Sequence, residues 1–260
     1  MTNKEYRQHI GVSKSDLQEL EKSPMHFKYR MEHKKEDTPA LLFGRACHKY
    51  ILEKDDFFNE FAVMPNVDRR TKVGREEYAE FMAMAERKGI DAITQEQFDT
   101  IKAMAEQIDN NKLARELLTG ECEQSFFWTD EKTNEPCKCR PDCLKRDKKL
   151  IVDYKTTDSC QDGHFERSVK KYGYKLQAGM YCEGLFQNDL ETYGFVFVAQ
   201  EKTEPYAVRI YKCNNEFIRQ GYDKFRELIG LYHKCKKSDT WKGYDYNGLS
   251  VVELKGDKIE

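Results

Sequence analysis

The chain has 260 residues, of which 39% are hydrophobic and 35% are charged, and its formal net charge is −2. This length fits one large domain, and the apolar content is sufficient for a buried core. The near-neutral charge excludes a protein that coats nucleic acid with a broad basic surface, so any basic footprint must be local.

The N-terminus and the cysteines indicate the compartment. The first residues, MTNKEYRQHI, lack the apolar segment of a signal peptide, and no apolar run approaches the roughly 18 residues that span a bilayer. The nine cysteines are odd in number and irregularly spaced. We therefore expect a cytoplasmic protein with no membrane partner, whose cysteines are reduced thiols rather than a disulfide framework.

Residues 1–120 are predicted to be mainly helical. A helix is expected near 15–20, after a cap-like spacing of Ser13 and Asp16. Pro24 is expected to end or bend this helix, because proline lacks the backbone donor that a helix interior needs.

A second helix is predicted over residues 39–53. Within it Gly44 and His48 are four residues apart, so they lie on one face. Thr94 and Gln97 have the spacing of a capping box at the start of a later helix. Three amphipathic helices are predicted in the segments GREEYAEFMAMAER, TQEQFDTIKAMAEQIDN and NNKLARELLTG.

From 121 to 238 the pattern changes to strands with flanking helices. Strands are predicted in the segments ECEQSFFWT, CKCRPDCLK, KLIVDYK, TYGFVFVAQ and PYAVRIYKC. Helices are predicted in YKLQAGMYCEGLFQ and in the long segment NNEFIRQGYDKFRELIGLYHKCKK. This order predicts an α/β fold of mixed α+β type, with a central mixed sheet flanked by helices. We expect a single domain over 1–260 that ends in a tail, 239–260.

Asp142, Asp153 and Lys155 form the candidate catalytic centre. Side chains alternate along KLIVDYK, so Asp153 and Lys155 lie on the face opposite Val152 and Tyr154, which faces the core. The short connection KRDKK makes the two strands hairpin neighbours and brings Asp142 towards Asp153. Two close carboxylates repel each other unless a cation neutralises them, and oxygen ligands of this kind suit Mg²⁺ or Mn²⁺.

Such a site has the chemistry of phosphodiester hydrolysis. The metal can polarise a phosphoryl oxygen and help to generate hydroxide from water. Lys155 would position or activate that water, or stabilise the charge that develops on the phosphate. The alternative is an exposed hairpin end whose Asp and Lys form weak surface pairs, and these three residues alone do not exclude it.

Other polar residues accompany this centre in the sequence. His48 lies on the second helix, and Glu123 lies on the strand before Asp142. Gln177 and Tyr181 are four residues apart, so they share a helix face and could contact DNA or orient a catalytic group. Taken singly, each of these residues also fits an ordinary polar surface.

Four motifs in chain order resemble those of the PD-(D/E)xK nuclease superfamily in its RecB-like branch. They are GxxxH (Gly44 to His48), RPD (Arg140 to Asp142), DYK (Asp153 to Lys155) and QxxxY (Gln177 to Tyr181). The longer strings FGRACHKYILE, FFWTDEKTNEPCKCRPDCL and VDYKTTDS resemble the RecE-like exonucleases, the nuclease domain of exodeoxyribonuclease VIII. The likeness extends from SKSDL through the last predicted helix.

The resemblance implies roles for individual residues. His48, Asp142 and Asp153 would be metal ligands, the Tyr154 carbonyl would be a possible further ligand, and Lys155 would be the catalytic lysine. The acidic position ahead of the RPD motif is matched by Glu123, with Glu121 as an alternative.

The resemblance also implies an activity and partners. A RecE-like enzyme would be a Mg²⁺-dependent exonuclease that acts on double-stranded DNA ends. It would resect them in the 5′-to-3′ direction and leave a 3′ single strand for recombination. The implied partner is a RecT-like single-strand annealing protein, the implied assembly is a ring-shaped homo-oligomer, and the implied origin is a phage or prophage.

The cysteines argue against an iron–sulfur cluster, which some RecB-like relatives hold with one early and three late cysteines. The early segment KSPMHF has no cysteine, and only Cys213 and Cys235 lie late. Cys137, Cys139 and Cys143 lie close together but lack a convincing fourth ligand. No iron–sulfur cluster is therefore expected.

Two basic clusters are candidates for DNA contact. The first is Lys145, Arg146, Lys148 and Lys149, which the sequence places beside the proposed site. The second is Arg167, Lys170, Lys171 and Lys175, which interleaves with Tyr172 and Tyr174, as in a phosphate track with base stacking. The DNA-binding candidates are Arg140, Lys171, Lys175, Gln177 and Tyr181.

Two other functions stay open at this point. One is a nuclease of the same superfamily that cuts internally or prefers single strands. The other is a catalytically silent DNA-binding or assembly module with the same fold.

Overall fold

The computed structural model describes residues 1, 3–33 and 38–244, so 245–260 of the predicted tail lie outside the described residues. Its α-helices are α1 (Asn3–Gln8), α2 (Lys14–Lys22), α3 (Pro24–Glu32), α4 (Pro39–Leu52), α5 (Phe57–Glu60), α6 (Lys72–Lys88), α7 (Gln95–Asn110), α8 (Lys112–Leu117), α9 (Asp162–Lys171), α10 (Tyr174–Asp189) and α11 (Asn215–Ser238). A short 3₁₀ helix covers Lys54–Asp56. Within the described ranges no helix combines the length and the apolarity that crossing a membrane requires.

A mixed five-stranded sheet forms the centre of the molecule. The strands are β1 (Phe61–Val63), β2 (Asp91–Ile93), β3 (Glu121–Cys122), β4 (Phe126–Thr129), β5 (Pro136–Cys139), β6 (Cys143–Lys145), β7 (Leu150–Thr157), β8 (Gly194–Glu201) and β9 (Val208–Lys212). The central sheet has the order β3-β6-β7-β8-β9, with β7 and β8 parallel and the other neighbours antiparallel. The pairs β1–β2 and β4–β5 form two small separate sheets.

Both faces of the central sheet are covered by helices. On one face Ile151 and Phe197 pack in a core that includes side chains of α2, α9, α10 and α11. On the other face Val152 and Tyr154 pack against side chains of α4, α7 and α8. Both faces of β7 are therefore buried, not only the face of Val152 and Tyr154. The predicted fold class, a mixed sheet flanked by helices, is confirmed.

Capping residues account for where the N-terminal helices begin. Ser13 and Asp16 form a reciprocal capping box at the start of α2, and Thr94 forms one with Gln97 at the start of α7. Pro24 ends α2, as predicted, but it is also the first residue of α3. That position suits proline, because the first turn of a helix needs no donor from it.

Two of the predicted strands are each divided in two. ECEQSFFWT forms β3 and β4, with Glu123 between them, and CKCRPDCLK forms β5 and β6. Glu123 has a φ of +53°, a left-handed conformation that interrupts the pleat of a strand. The chain therefore leaves the central sheet after Cys122, forms the β4–β5 hairpin and returns at Cys143.

Cys122 and Cys143 form a disulfide, so the prediction that the cysteines are reduced thiols is wrong for this pair. The two residues are register partners on β3 and β6, and their Cα atoms are 4.1 Å apart. Their separation of 21 residues in the chain gives no indication of this pairing. The other seven cysteines are buried and unpaired.

Helices α10 and α11 touch each other backbone to backbone. The contact is made by Gly179 of α10 and Gly221 of α11, and a Cβ atom on Gly179 would overlap the backbone nitrogen of Tyr222. Glycine is thus required at Gly179 by the close approach of two helices. This packing fixes α10, the helix that carries Gln177.

Candidate active site

Asp142 and Asp153 lie at neighbouring points of two adjacent strands. Because β6 pairs with β7 through Cys143 and Val152, the next pair along the antiparallel ladder is Asp142 with Asp153. The Tyr154 backbone N–H donates a hydrogen bond to Asp142 Oδ2 at 2.7 Å. The side chain of Asp142 is 13% exposed and that of Asp153 is 1% exposed. The hairpin thus brings two buried carboxylates together, as its short turn predicts.

His48 and Glu123 lie beside Asp142. His48 Nδ1 is 3.4 Å from Asp142 Oδ2, and the imidazole lies across the Tyr154 ring at a centroid distance of 5.0 Å. The potential ligand atoms of His48, Glu123 and Asp142 all lie within 4.8 Å of one another. Residues from three separate parts of the chain therefore form one group of possible metal ligands.

Glu123 is held in this group by its backbone and by Arg140. Its N–H donates to the Asp142 carbonyl at 2.9 Å, and Arg140 Nε donates to Glu123 Oε2 at 2.6 Å. Glu121 instead accepts from Arg146, at the other end of the β3–β6 pair. Of the two acidic residues that the sequence left open, the structure places Glu123 at the site. Arg140, a DNA-binding candidate, is engaged with this carboxylate.

Asp153 is oriented by two partners. Gln177 Nε2 donates to Asp153 Oδ1, and the Lys155 ammonium forms an ion pair with Oδ2. Apart from this ion pair, the buried Oδ2 atom accepts no hydrogen bond from the described part of the chain. Gln177 is only 6% exposed. Of the two roles that the sequence allowed, DNA contact or orientation of a catalytic group, the structure favours orientation of Asp153.

The site concentrates negative charge away from water. Burial and then the charge of Asp153 raise the pKa of Asp142 well above its ordinary value, and burial and Asp142 raise the pKa of Glu123 to about 7. Burial and Lys155 lower the pKa of His48 to about 4, so its imidazole is neutral at pH 7. Burial acts to lower the pKa of Lys155, but Asp153 and other negative groups outweigh it and raise that pKa.

These residues fit a divalent cation. A neutral imidazole nitrogen and carboxylate oxygens are suitable ligands, and a cation would relieve the repulsion that raises the pKa of Asp142. His48, Glu123 and Asp142 are positioned to hold it, and Asp153 lies next to them, turned towards Lys155. The backbone of Tyr154, whose carbonyl the resemblance implies as a further ligand, lies beside His48 and acts to raise the pKa of its imidazole.

A cavity lined by both basic and acidic side chains opens beside the ligand group. Its volume is about 340 Å³, and its lining includes His48, the basic residues Arg7, Arg45, Lys49 and Arg140 and the acidic residues Glu53, Glu60 and Glu123. Lys49 is paired with Glu53 and Glu60, and Arg140 is paired with Glu123. Arg7, Arg45 and Lys49 are not among the site residues predicted from the sequence. The spacing of Arg45 and Lys49, which flank His48 four residues apart, could have indicated their shared helix face.

The remaining DNA-binding candidates lie in different surroundings. Lys175 Nζ donates to Gln220 on α11 at 2.6 Å, so it is turned towards that helix. Tyr181 is half-buried, with its ring 6.3 Å from that of Phe195. Lys171 is exposed at the end of α9. Of these three candidates, Lys171 is therefore the most accessible to a ligand.

The first basic cluster does not lie beside the site, contrary to the prediction. It occupies the β6–β7 turn, whereas Asp142 and Asp153 lie at the other end of β6. Its cations are already engaged with Thr119, Glu121, Asp189, Glu116 and Glu191. The paired strands β6 and β7 separate the turn from the carboxylates. The prediction is wrong because the cluster is near Asp142 and Asp153 in sequence but lies at the opposite end of this strand pair.

If the site cleaves DNA, as the resemblance of its motifs implies, Gln177→Ala is expected to lower the cleavage rate by about tenfold to a hundredfold with a small loss of stability. The substitution removes the donor that fixes Asp153 Oδ1, and a misplaced catalytic group costs about this much. Cleavage rates at saturating and limiting DNA, with urea denaturation in parallel, measure both effects. Gln187→Ala, a change on the same helix where the amide donates to Glu183, is the control. Equal rates for the two variants would contradict the role of Gln177.

Comparisons with known proteins agree with this architecture. A family model described as "PDDEXK-like domain of unknown function (DUF3799)" matches residues 13–246. A solved structure from Eubacterium rectale, named "Putative exonuclease", aligns with 99% of this chain and 96% of its own at 15% identity and a TM-score of 0.68. At that identity the likeness shows the fold alone.

A second solved structure has a weaker similarity. The "phage related exonuclease" from Haemophilus somnus 129PT covers 91% of this chain and 100% of its own at 15% identity, with a TM-score of 0.36. That TM-score is too low to carry an argument. The search of curated proteins gave no match.

Proposed function

The chain belongs to the family of PDDEXK-like domains described as DUF3799, and from this premise we propose that it is a metal-dependent exonuclease that hydrolyses linear double-stranded DNA. The observation that carries the proposal is the grouping of His48, Glu123 and Asp142 within 4.8 Å, with the Asp153–Lys155 pair beside it. Mg²⁺ is the proposed metal, and Mn²⁺ is expected to substitute for it.

The residues of the site would have different roles in hydrolysis. A divalent cation bound there would supply the charge that polarises a scissile phosphate. The Tyr154 N–H and Gln177 hold the two aspartates in place, so little reorganisation is needed when substrate binds. The Lys155 ammonium is positioned to donate to the attacking water or to a phosphate oxygen.

We further propose that the activity is RecE-like. The enzyme would degrade the 5′ strand, leave a 3′ overhang for phage-type recombination and work in the cytoplasm of a bacterial host. Its partner would be a RecT-like annealing protein, and its assembly would be a ring of identical chains. These proposals rest on the resemblance carried by the motifs FGRACHKYILE and VDYKTTDS.

End-labelled linear duplex DNA with Mg²⁺ tests the proposed function. We expect 5′ label to appear early as mononucleotide, 3′ label to persist, and covalently closed circles to stay intact, because an exonuclease needs an end. EDTA should stop the reaction, and Mn²⁺ should restore it.

Other results would change the proposal in specific ways. Early release of 3′ label would overturn the polarity. Cleavage of closed circles would favour an endonuclease. DNA binding without any cleavage, in either metal, would favour a silent DNA-binding module.

A further inference from the structure

Lys14 lies close to the catalytic lysine, although 140 residues of sequence separate them. It is in the first turn of α2, and its Nζ is 5.8 Å from the centroid of the Tyr174 ring. Lys155 Nζ is 4.9 Å from the same centroid. Two ammonium groups therefore share one buried tyrosine ring at the edge of the site.

Lys14 differs from Lys155 because it has no acidic partner in the described part of the chain. Its Nζ donates to Gln18 Oε1 at 2.7 Å and to the Tyr172 carbonyl, both of which are neutral acceptors. Burial and the neighbouring charge of Lys155 lower the pKa of Lys14 to about 7. A phosphate bound at this point would favour the charged form of Lys14, so it would meet two cations, of which only Lys155 is paired with a carboxylate.

An exposed aromatic ring and a third lysine continue outward from this point. The ring of Tyr172 stacks on that of Tyr174 at 5.8 Å and 28° and is 44% exposed. Lys171 Nζ is 5.2 Å from the Tyr172 centroid. In proteins that bind single-stranded nucleic acid, basic side chains contact the phosphates and exposed aromatic rings stack on the bases. None of these groups lines the 340 Å³ cavity.

We propose that Lys14 binds the phosphodiester next to the scissile one, and that Tyr172 and Lys171 receive the adjoining nucleotide. The inference rests on the proposed nuclease function and deepens it, because it names the path of one DNA strand across α2 and the α9–α10 corner. Lys14 thus positions the substrate, whereas Lys155 acts on the reacting phosphate.

The test is the salt dependence of DNA binding by Lys14→Met, measured in EDTA so that no hydrolysis occurs. The probe is a fluorescent duplex with a single-stranded end, and fluorescence anisotropy gives Kd at several KCl concentrations. We expect Kd to rise about tenfold and the slope of log Kd against log salt to fall by roughly 0.7 to 0.9, the loss of one phosphate contact. Lys14→Arg should keep the slope.

Two further variants give the matched comparisons. Lys102 Nζ also lies over a ring, 5.1 Å from the Phe98 centroid, but it is paired with Asp99 on α7. Lys102→Met should therefore bind DNA as the wild type does. Tyr172→Ala should weaken binding of the single-stranded end by about fivefold to a hundredfold without changing the salt slope, because stacking releases no counterions.

The outcomes separate this inference from the proposed function. If the wild type cuts DNA while Lys14→Met keeps both Kd and slope, the phosphate contact is disproved and the nuclease stands. If Lys14→Met loses thermal stability and affinity but keeps the slope, Lys14 only ties α2 to Tyr172, and the inference also fails. A wild type that neither binds nor cuts DNA would remove the proposed function and this inference with it.

Discussion

Asp153→Asn should reduce DNA hydrolysis by about a thousandfold or more while the chain stays folded. The amide keeps the size of the side chain and an oxygen for Gln177, but it removes the charge that a cation and Lys155 require. Loss of one preorganised electrostatic group costs about this much in kcat. Release of mononucleotides at saturating Mg²⁺ measures the effect, and circular dichroism checks the fold.

The design separates catalysis from stability. Asp153→Asn leaves Lys155 buried without its partner, which should lower the melting temperature. Asp153→Asn combined with Lys155→Met should recover stability but not activity. Asp158→Asn, which changes an exposed carboxylate paired with Lys202 just after β7, is the control and should keep wild-type activity. Near wild-type cleavage by folded Asp153→Asn would refute a role of Asp153 in hydrolysis.

Gly179→Ala should destabilise the protein by about 3 kcal/mol, the upper part of the range for overpacking a close contact. The added methyl group would overlap the backbone of α11 at Tyr222, so the two helices must separate. Because α10 also carries Gln177, cleavage should weaken in the fraction that folds. Urea denaturation followed by circular dichroism measures the loss.

Gly230→Ala on α11 is the matched comparison. A Cβ atom at Gly230 would meet nothing within 4 Å, so alanine there should stabilise the helix by up to about 1 kcal/mol. Replacement of glycine by alanine should thus lower the free energy of unfolding at Gly179 and raise it at Gly230. If both variants unfold at the same urea concentration, α10 and α11 do not make the close contact described above.

Local patterns were sufficient to predict the parts of the fold that depend on neighbouring residues. The capping boxes at Ser13 and Thr94 begin helices where the sequence places them. The alternation in KLIVDYK and the short turn before it place Asp142 opposite Asp153. The resemblance to a nuclease superfamily added His48, whose helix has no local feature that connects it to β7.

Other parts depend on contacts that no local pattern records. The alternation of ECEQSFFWT continues through Glu123, so the sequence cannot reveal that the chain changes sheets there. Gln177 reaches Asp153 across 24 residues, and Lys14 reaches Tyr172 across 158. These contacts between residues far apart in sequence form because α2 and α10 pack in the hydrophobic core, which involves side chains from distant parts of the chain.

The excursion of the chain between β3 and β6 has a mechanical consequence. Glu123 is the first residue of that excursion and Asp142 is the last, and the Cys122–Cys143 disulfide joins the strands at its base. Because the disulfide holds β3 and β6 together where the excursion begins and ends, the β4–β5 hairpin can tilt but its two connections to the sheet cannot separate there. Force applied to the β4–β5 hairpin would therefore turn both carboxylates together and preserve the distance between them.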